Sequence, residues 1–236
     1  MFELYFIVDF YLQCVIFYCI LEKYKEILKR INRMQNGDIA DAMKRMGVNY
    51  RINFGVSIPE LINLSKNYEK DNKLAFYMLN KPIRETKILS SLLFDIDKLS
   101  EENLLEISRK IEYFELIEQF SKNLFSKSIN LLEILNKLIE GNCCQKALAL
   151  YSASWKIKRE KELAYSILQW SEKQINNMAD CNSAIEAKGY VFLMQSIVMI
   201  DNKKSDLIKV AKALRLSENK KVKQIADDFL LLWSDF

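Results

Sequence analysis

The sequence predicts an all-α protein assembled as a run of stacked helix pairs. Three observations carry this expectation. Glycine and proline are scarce, 5 and 2 in 236 residues, while half the chain is apolar, too few turn formers for a sandwich or barrel. Lys, Glu, Leu, Ile and Asn dominate the remainder, and most of these favour helices. Apolar residues recur at three- and four-residue spacing, and the runs are punctuated by capping residues.

The first twenty-one residues, MFELYFIVDFYLQCVIFYCIL, form the most apolar stretch and are set apart as an N-terminal extension, with 22–236 as a single domain. The stretch lacks a basic leader and a small-residue cleavage site, and Glu3 and Asp9 interrupt it as a membrane span. Three readings stay open: a helix packed on the body, a stretch translated from an upstream start, and, last in rank, a weak membrane anchor. The pattern shared with the rest of the chain begins near Leu21, where LEKYKEILKRINRM places Tyr24, Ile27, Leu28 and Ile31 on one face. Asn36 and Gly37 end that helix, and DIADAMKRM follows as a short second one.

Residues 47–57, GVNYRINFGVS, break the helical period. Val48, Tyr50, Ile52, Phe54 and Val56 alternate with Asn49, Arg51, Asn53, Gly55 and Ser57, the pattern of a half-buried strand. One strand makes no sheet, so an extended connection between helices is expected, released by its glycines and packed through alternate side chains. Packing takes precedence there over nucleic-acid contact by Tyr50 and Arg51.

Helices resume beyond it. Ser57 caps IPELINL, with Pro59 in the first turn, where a missing N–H costs little. Asp71 caps DNKLAFYMLN, Pro82 opens PIRETKILSSLLF, and Ser100 caps SEENLLEISRKI. Further helices are expected over 113–126, 128–140, 143–157, 159–178, 181–200, 204–216 and 218–233. Few could bury an apolar face alone, and stacking them as antiparallel pairs gives an α-solenoid of the HEAT type, with a repeat of about 40 residues. A compact helical bundle is the competing architecture.

Composition narrows the chemistry. No histidine is present, which excludes Ser-His-Asp and Cys-His catalysis and histidine metal sites. No GxxxxGK[ST] or GxGxxG occurs, so neither a nucleotide cofactor nor a metal is expected. The five cysteines, Cys14, Cys19, Cys143, Cys144 and Cys181, have no CxxC spacing and suit a reducing, cytoplasmic compartment. The net charge of +4 is unevenly spread, for residues 201–223 carry eight Lys or Arg against three Asp or Glu. KIKREK at 156–161 adds four cations against one anion, whereas 99–119 is acidic. Such polarity permits a basic face that follows phosphates, although solvated helix faces explain charge runs equally.

The stretch MKRMGVNYRINFGVSIPELINLSKNY, followed by PIRETKILSSLLF, resembles the DNA alkylation repair family, the AlkD-like HEAT-repeat proteins. Gly-x-x-Tyr, Gly-Val-x-x-Pro and Arg-Glu-x-x-x-Leu elements fall in that family's order, and a looser likeness runs from about residue 22 to the C-terminus. The resemblance implies a right-handed α-solenoid of HEAT-like helix pairs holding double-stranded DNA on a basic inner surface, as a monomer. It also implies, for some members, excision of N3- or N7-alkylated purines. Such lesions are cationic with weak glycosidic bonds, so aromatic faces and one carboxylate suffice as oxocarbenium character develops.

In that family a Trp stands one helical turn before a key Asp, within Trp-Asp-x-x-Asp. The matching stretch, YFELIE, places Phe114 at the Trp, Glu115 at the first acid and Glu118 at the key carboxylate. A second aromatic position corresponds to Tyr190 in AKGYVFL, and Lys146 is the cation nearest the family's arginine. The resemblance thus makes Glu118 the catalytic candidate and Phe114 and Tyr190 the lesion or backbone contacts. The longer Glu side chain shifts the carboxylate by about an ångström, more than catalytic geometry tolerates. For phosphate contact the candidates are Arg51, Arg84, Lys87, Lys122, Lys156, Lys158 and Arg159. Two alternatives stand beside excision: DNA binding without catalysis, and a helical-repeat scaffold for protein partners.

Without the resemblance, Phe114, Glu118 and Tyr190 read as packing residues. Tyr113, Ile117, Phe120 and Leu124 form the core stripe of that helix, with Phe114 and Glu118 on the neighbouring row and Glu118 set to pair with Lys122.

Overall fold

A computed structural model describes residues 2–160, 165–200 and 203–233. The described residues form thirteen α-helices and no strand. They divide into two compact units, Met1–Lys98 and Leu99–Phe236.

The first unit holds α1 (Phe2–Arg33), α2 (Gly37–Arg45), α3 (Ile58–Ser65), α4 (Asn72–Leu79) and α5 (Arg84–Leu93). The boundary expected at residue 21 falls inside α1, which runs unbroken. Packing nevertheless changes near that point: Tyr11, Val15, Phe17 and Tyr18 are exposed, whereas Ile20, Ile27 and Ile31 are buried. Tyr24 and Phe17 meet the edge of Tyr77 on α4, with ring centres 5.1 and 6.1 Å apart. Among the described residues no helix is long and apolar enough to cross a membrane.

Ser57, Asp71 and Ser100 each cap the helix expected of them. Ser57 accepts from Glu60 N while the Glu60 carboxylate accepts from Ser57 N at 3.0 Å, a reciprocal cap of a kind contributing about 1 kcal/mol. Pro82 does not open α5. The helix starts two residues later because Pro82 and Ile83 are held extended: Ile52 N donates to Pro82 O at 3.1 Å and Arg84 N to Ile52 O at 3.0 Å.

Those two bonds form the parallel bridge between Ile52 and Ile83, all the β pairing the period-2 segment finds among the described residues. The segment is an extended connection with imperfect alternation. Val56 is buried and Val48, Tyr50 and Phe54 are half-buried, but Ile52 is 40% exposed. Two glycines with φ of 84° and 71°, Gly47 and Gly55, turn the chain at either end. Glu85, fully buried, holds the connection from below: its carboxylate accepts from Phe54 N at 3.2 Å and Val56 N at 3.3 Å, and pairs with Arg84 at 3.1 Å.

The second unit holds α6 (Glu101–Ser108), α7 (Phe114–Asn123), α8 (Leu131–Leu138), α9 (Cys143–Arg159), α10 (Tyr165–Asn176), α11 (Ala184–Val198), α12 (Lys204–Leu214) and α13 (Lys220–Trp233). Within the helix expected over 159–178, residues 161–164 lie outside the described residues. The longest helix here, α9, packs against α7, α8, α10 and α11, burying Leu148, Leu150, Tyr151 and Ile157. Its start is fixed by Asn142, whose side chain accepts from Cys144 N and Gln145 N. Ile117 and Phe120 on α7 and Leu124 at its C-cap are fully buried, and Phe114 and Glu118 are half-buried beside them.

Candidate nucleic-acid interface

Three helices of the second unit bring aromatic rings and cations into one row. Helical spacing lines them up: Phe114, Glu118 and Lys122 on α7, Tyr151, Trp155 and Lys158 on α9, and Lys188 and Phe192 on α11. Phe114 meets the edge of Tyr151 with centres 5.6 Å apart. Tyr151 stacks on Phe192 at 4.7 Å and 17°, and Phe192 lies 5.7 Å from Trp155.

Cations sit on these rings. Lys188 lies 4.4 Å from the centre of Phe114, Lys158 3.8 Å from Phe192, and Lys122, Lys158 and Arg159 lie 5.1, 5.5 and 5.9 Å from Trp155. Each contact is worth about 0.5–1 kcal/mol where water reaches it and more where it does not. Burial pulls the Lys158 ammonium and the Arg159 guanidinium below their usual ranges. Arg159 is further tied down, donating to Ser126 Oγ at 2.8 Å and to the Lys122 carbonyl.

Glu118 sits at the row's acidic end. Burial raises its titration, the neighbouring Glu115 carboxylate raises it further, and Lys188 draws it partly back. The Tyr151 hydroxyl is likewise pushed up, by burial and then by Glu118. Beside the rings a pocket of about 220 Å³ is lined by Tyr151, Lys188, Phe192, Gln195 and Asp228.

The residues anticipated from sequence divide accordingly. Phe114, Glu118, Lys122, Lys158 and Arg159 meet in the row; Tyr190 does not. It lies two positions from Phe192, about 200° round α11, and is 4% exposed next to Glu186 and Lys146. Lys156 joins Glu160 in an ion pair at 2.7 Å. In the first unit Arg51 is exposed and Lys87 half-buried. Arg84 corrects the expectation of a phosphate contact: only 3% exposed, it donates to Val56 O at 2.7 Å and pairs with Glu85. Its charge braces the extended connection.

Tyr151, Lys188 and Phe192 were not anticipated. Their local signals were present, since Tyr151 and Trp155, like Lys188 and Phe192, stand four apart on a helix. Among the described residues no group of three Cys, Asp or Glu side chains gathers to hold a metal ion.

No protein-family model matches the chain, and no curated protein matches it. Its fold is similar to that of a solved protein from "a new family of proteins related to the HEAT-like repeat DNA glycosylases with affinity for branched DNA structures". The TM-score is 0.72 at 10% identity, over 90% of this chain and 96% of that one. The likeness shows an all-α, HEAT-like fold.

Proposed function

We propose that the chain is a DNA-binding HEAT-like protein that contacts DNA through the row on α7, α9 and α11. The observation that carries this reading is the alternation of Lys188, Lys158, Lys122 and Arg159 with Phe114, Phe192 and Trp155. Ammonium and guanidinium groups serve phosphates of any sequence, and an uncharged base that has left the stack reaches a ring by displacing the lysine over it as that lysine turns to a phosphate. Duplex supplies the first, whereas a branch point supplies both. The branched-DNA affinity stated for the protein of similar fold supports choosing that probe. Residues 22–236 act in this reading as one domain, in the cytoplasm.

The experiment measures binding of a fluorescent four-way junction, and of a duplex of equal length, across a salt series. Tighter junction binding that weakens steeply with salt is expected. Absence of binding at low salt overturns the proposal and leaves a scaffold for protein partners.

Excision of an alkylated purine is the second reading. It is favoured by the half-buried Glu118 carboxyl close to Tyr151 and Phe114. Against it, the ring of Phe114 already holds the protein's own ammonium, Lys188. A cationic base would have to displace one positive charge with another.

A further inference from the structure

Two buried side-chain donors lack an acceptor among the described residues: the indole Nε1–H groups of Trp155 and Trp233. An indole nitrogen donates and never accepts, and neither group reaches water. Trp170 shows the ordinary arrangement, its Nε1 donating to Asn136 Oδ1 at 3.0 Å. A buried polar group with no partner is uncommon enough to require a reason at its own place in the fold.

The two orphans differ in their surroundings. Trp233 ends α13 with one cation by its ring, Lys204 at 5.7 Å. Trp155 has three, Lys122, Lys158 and Arg159, and none of them forms an ion pair among the described residues. The Glu160 carboxylate, which acts on Arg159 from a distance, is bonded to Lys156 at 2.7 Å. Ser126 Oγ and the Lys122 carbonyl fix Arg159 in place, whereas the two lysines are long chains free to turn. Trp155 is only half-buried, so its ring reaches the surface where these cations lie over it.

Three positive charges and one uncompleted N–H thus stand together with no anion to receive them. An oxyanion supplies what is missing, and a phosphate offers several acceptor oxygens where a carboxylate offers two. We propose that Trp155, Lys122, Lys158 and Arg159 form a seat for one phosphate group, the indole N–H donating to one oxygen as the lysines turn from the ring to the others. Trp155 contributes its edge there, as Phe114 and Phe192 contribute faces. Where the phosphate is that of DNA, the seat rests on the DNA reading and gives that reading its fixed contact.

Proton–nitrogen NMR of the full chain resolves the three indole N–H groups, and Trp155→Phe assigns the one in question. Inorganic phosphate is expected to move the Trp155 proton downfield to saturation, chloride at equal ionic strength to leave it in place, and Trp170 and Trp233 to stay unmoved in both. Lys158→Ala should raise the phosphate concentration required by about tenfold, the loss of one charge-assisted contact. Junction binding by Trp155→Phe identifies the source. A loss of about tenfold with an unchanged salt slope assigns the seat to DNA, since a donor but no charge has been removed. Unchanged DNA binding beside a saturable phosphate shift assigns it to the free ion. A Trp155 proton that moves with neither phosphate nor junction overturns the proposal, and DNA binding measured in the same samples then stands or falls separately. Circular dichroism melts verify that both variants are folded.

Discussion

The Lys158 ammonium lies 3.8 Å from the centre of the Phe192 ring, the same ring on which Tyr151 stacks at 4.7 Å. One residue supplies charge and the other a face, so their removal should have different signatures. Lys158→Ala is expected to weaken binding to junction and duplex alike and to reduce the salt slope by about one. Phe192→Leu is expected to keep the slope and lose the preference for the junction. Titrations of both variants in parallel check this; identical effects would mean that Phe192 merely supports the lysine.

Glu118 separates binding from chemistry. Because Lys188 occupies the Phe114 ring, the protein is expected to release no base from duplex carrying 7-methylguanine, and Glu118→Gln is expected to change nothing in that assay. Release that the substitution abolishes would establish excision instead. Stability supplies a second readout. The folded titration of Glu118 lies above its unfolded value, so the native state holds the proton more tightly. This contribution is full below the unfolded value and lost as pH rises through the raised folded one. Glu118→Gln should therefore raise the melting temperature more at a pH of about 7 than of about 4.

Glu85 should be among the most sensitive positions for stability. Its carboxylate satisfies Phe54 N, Val56 N and Arg84 at once, with no solvent to replace it. Glu85→Ala takes the carboxylate from two backbone amides and from the buried Arg84, which keeps its bond to Val56 O, at a cost of about 3–5 kcal/mol. Glu85→Gln keeps the shape but turns one acceptor into a donor facing donors, so it should recover only part of the loss. Urea melts of both variants measure the difference.

What the sequence made legible was local. Ser57, Asp71 and Ser100 announce helix starts because a cap needs only its own next three residues. The period of 47–57 announces an extended segment for the same reason. Meetings between helices were legible only in part. Phe114 and Glu118 came from a family pattern on one helix, whereas their partners Tyr151, Lys188 and Phe192 stand on two others, and sequence spacing does not say which faces meet. Tyr190 stands two positions from Phe192, which on a helix is nearly the opposite side, and spacing alone does not say which of the two faces α7 and α9. Arg84 went astray because a basic residue in the first turn looks solvated until the segment it braces, residues 52–56, is folded over it.

Gly47 and Gly55 share a left-handed backbone, with φ of 84° and 71°, but have different surroundings. A Cβ at Gly47 would meet nothing within 4 Å, so Gly47→Ala carries only the left-handed penalty, about 1 kcal/mol. A Cβ at Gly55 would lie 2.0 Å from the Asn36 carbonyl oxygen and 2.9 Å from Ala40 N. Both are backbone atoms at the start of α2, so no side chain can swing aside. Asn36 N also donates to Phe54 O at 2.7 Å, which ties the two segments at that point. Gly55→Ala should therefore cost about 3 kcal/mol or more, well beyond its neighbour, and shift the amide resonances of residues 36–40. Equal melting temperatures for the two variants would mean that α2 moves freely against the extended connection, and that its close approach at Gly55 contributes little to the fold.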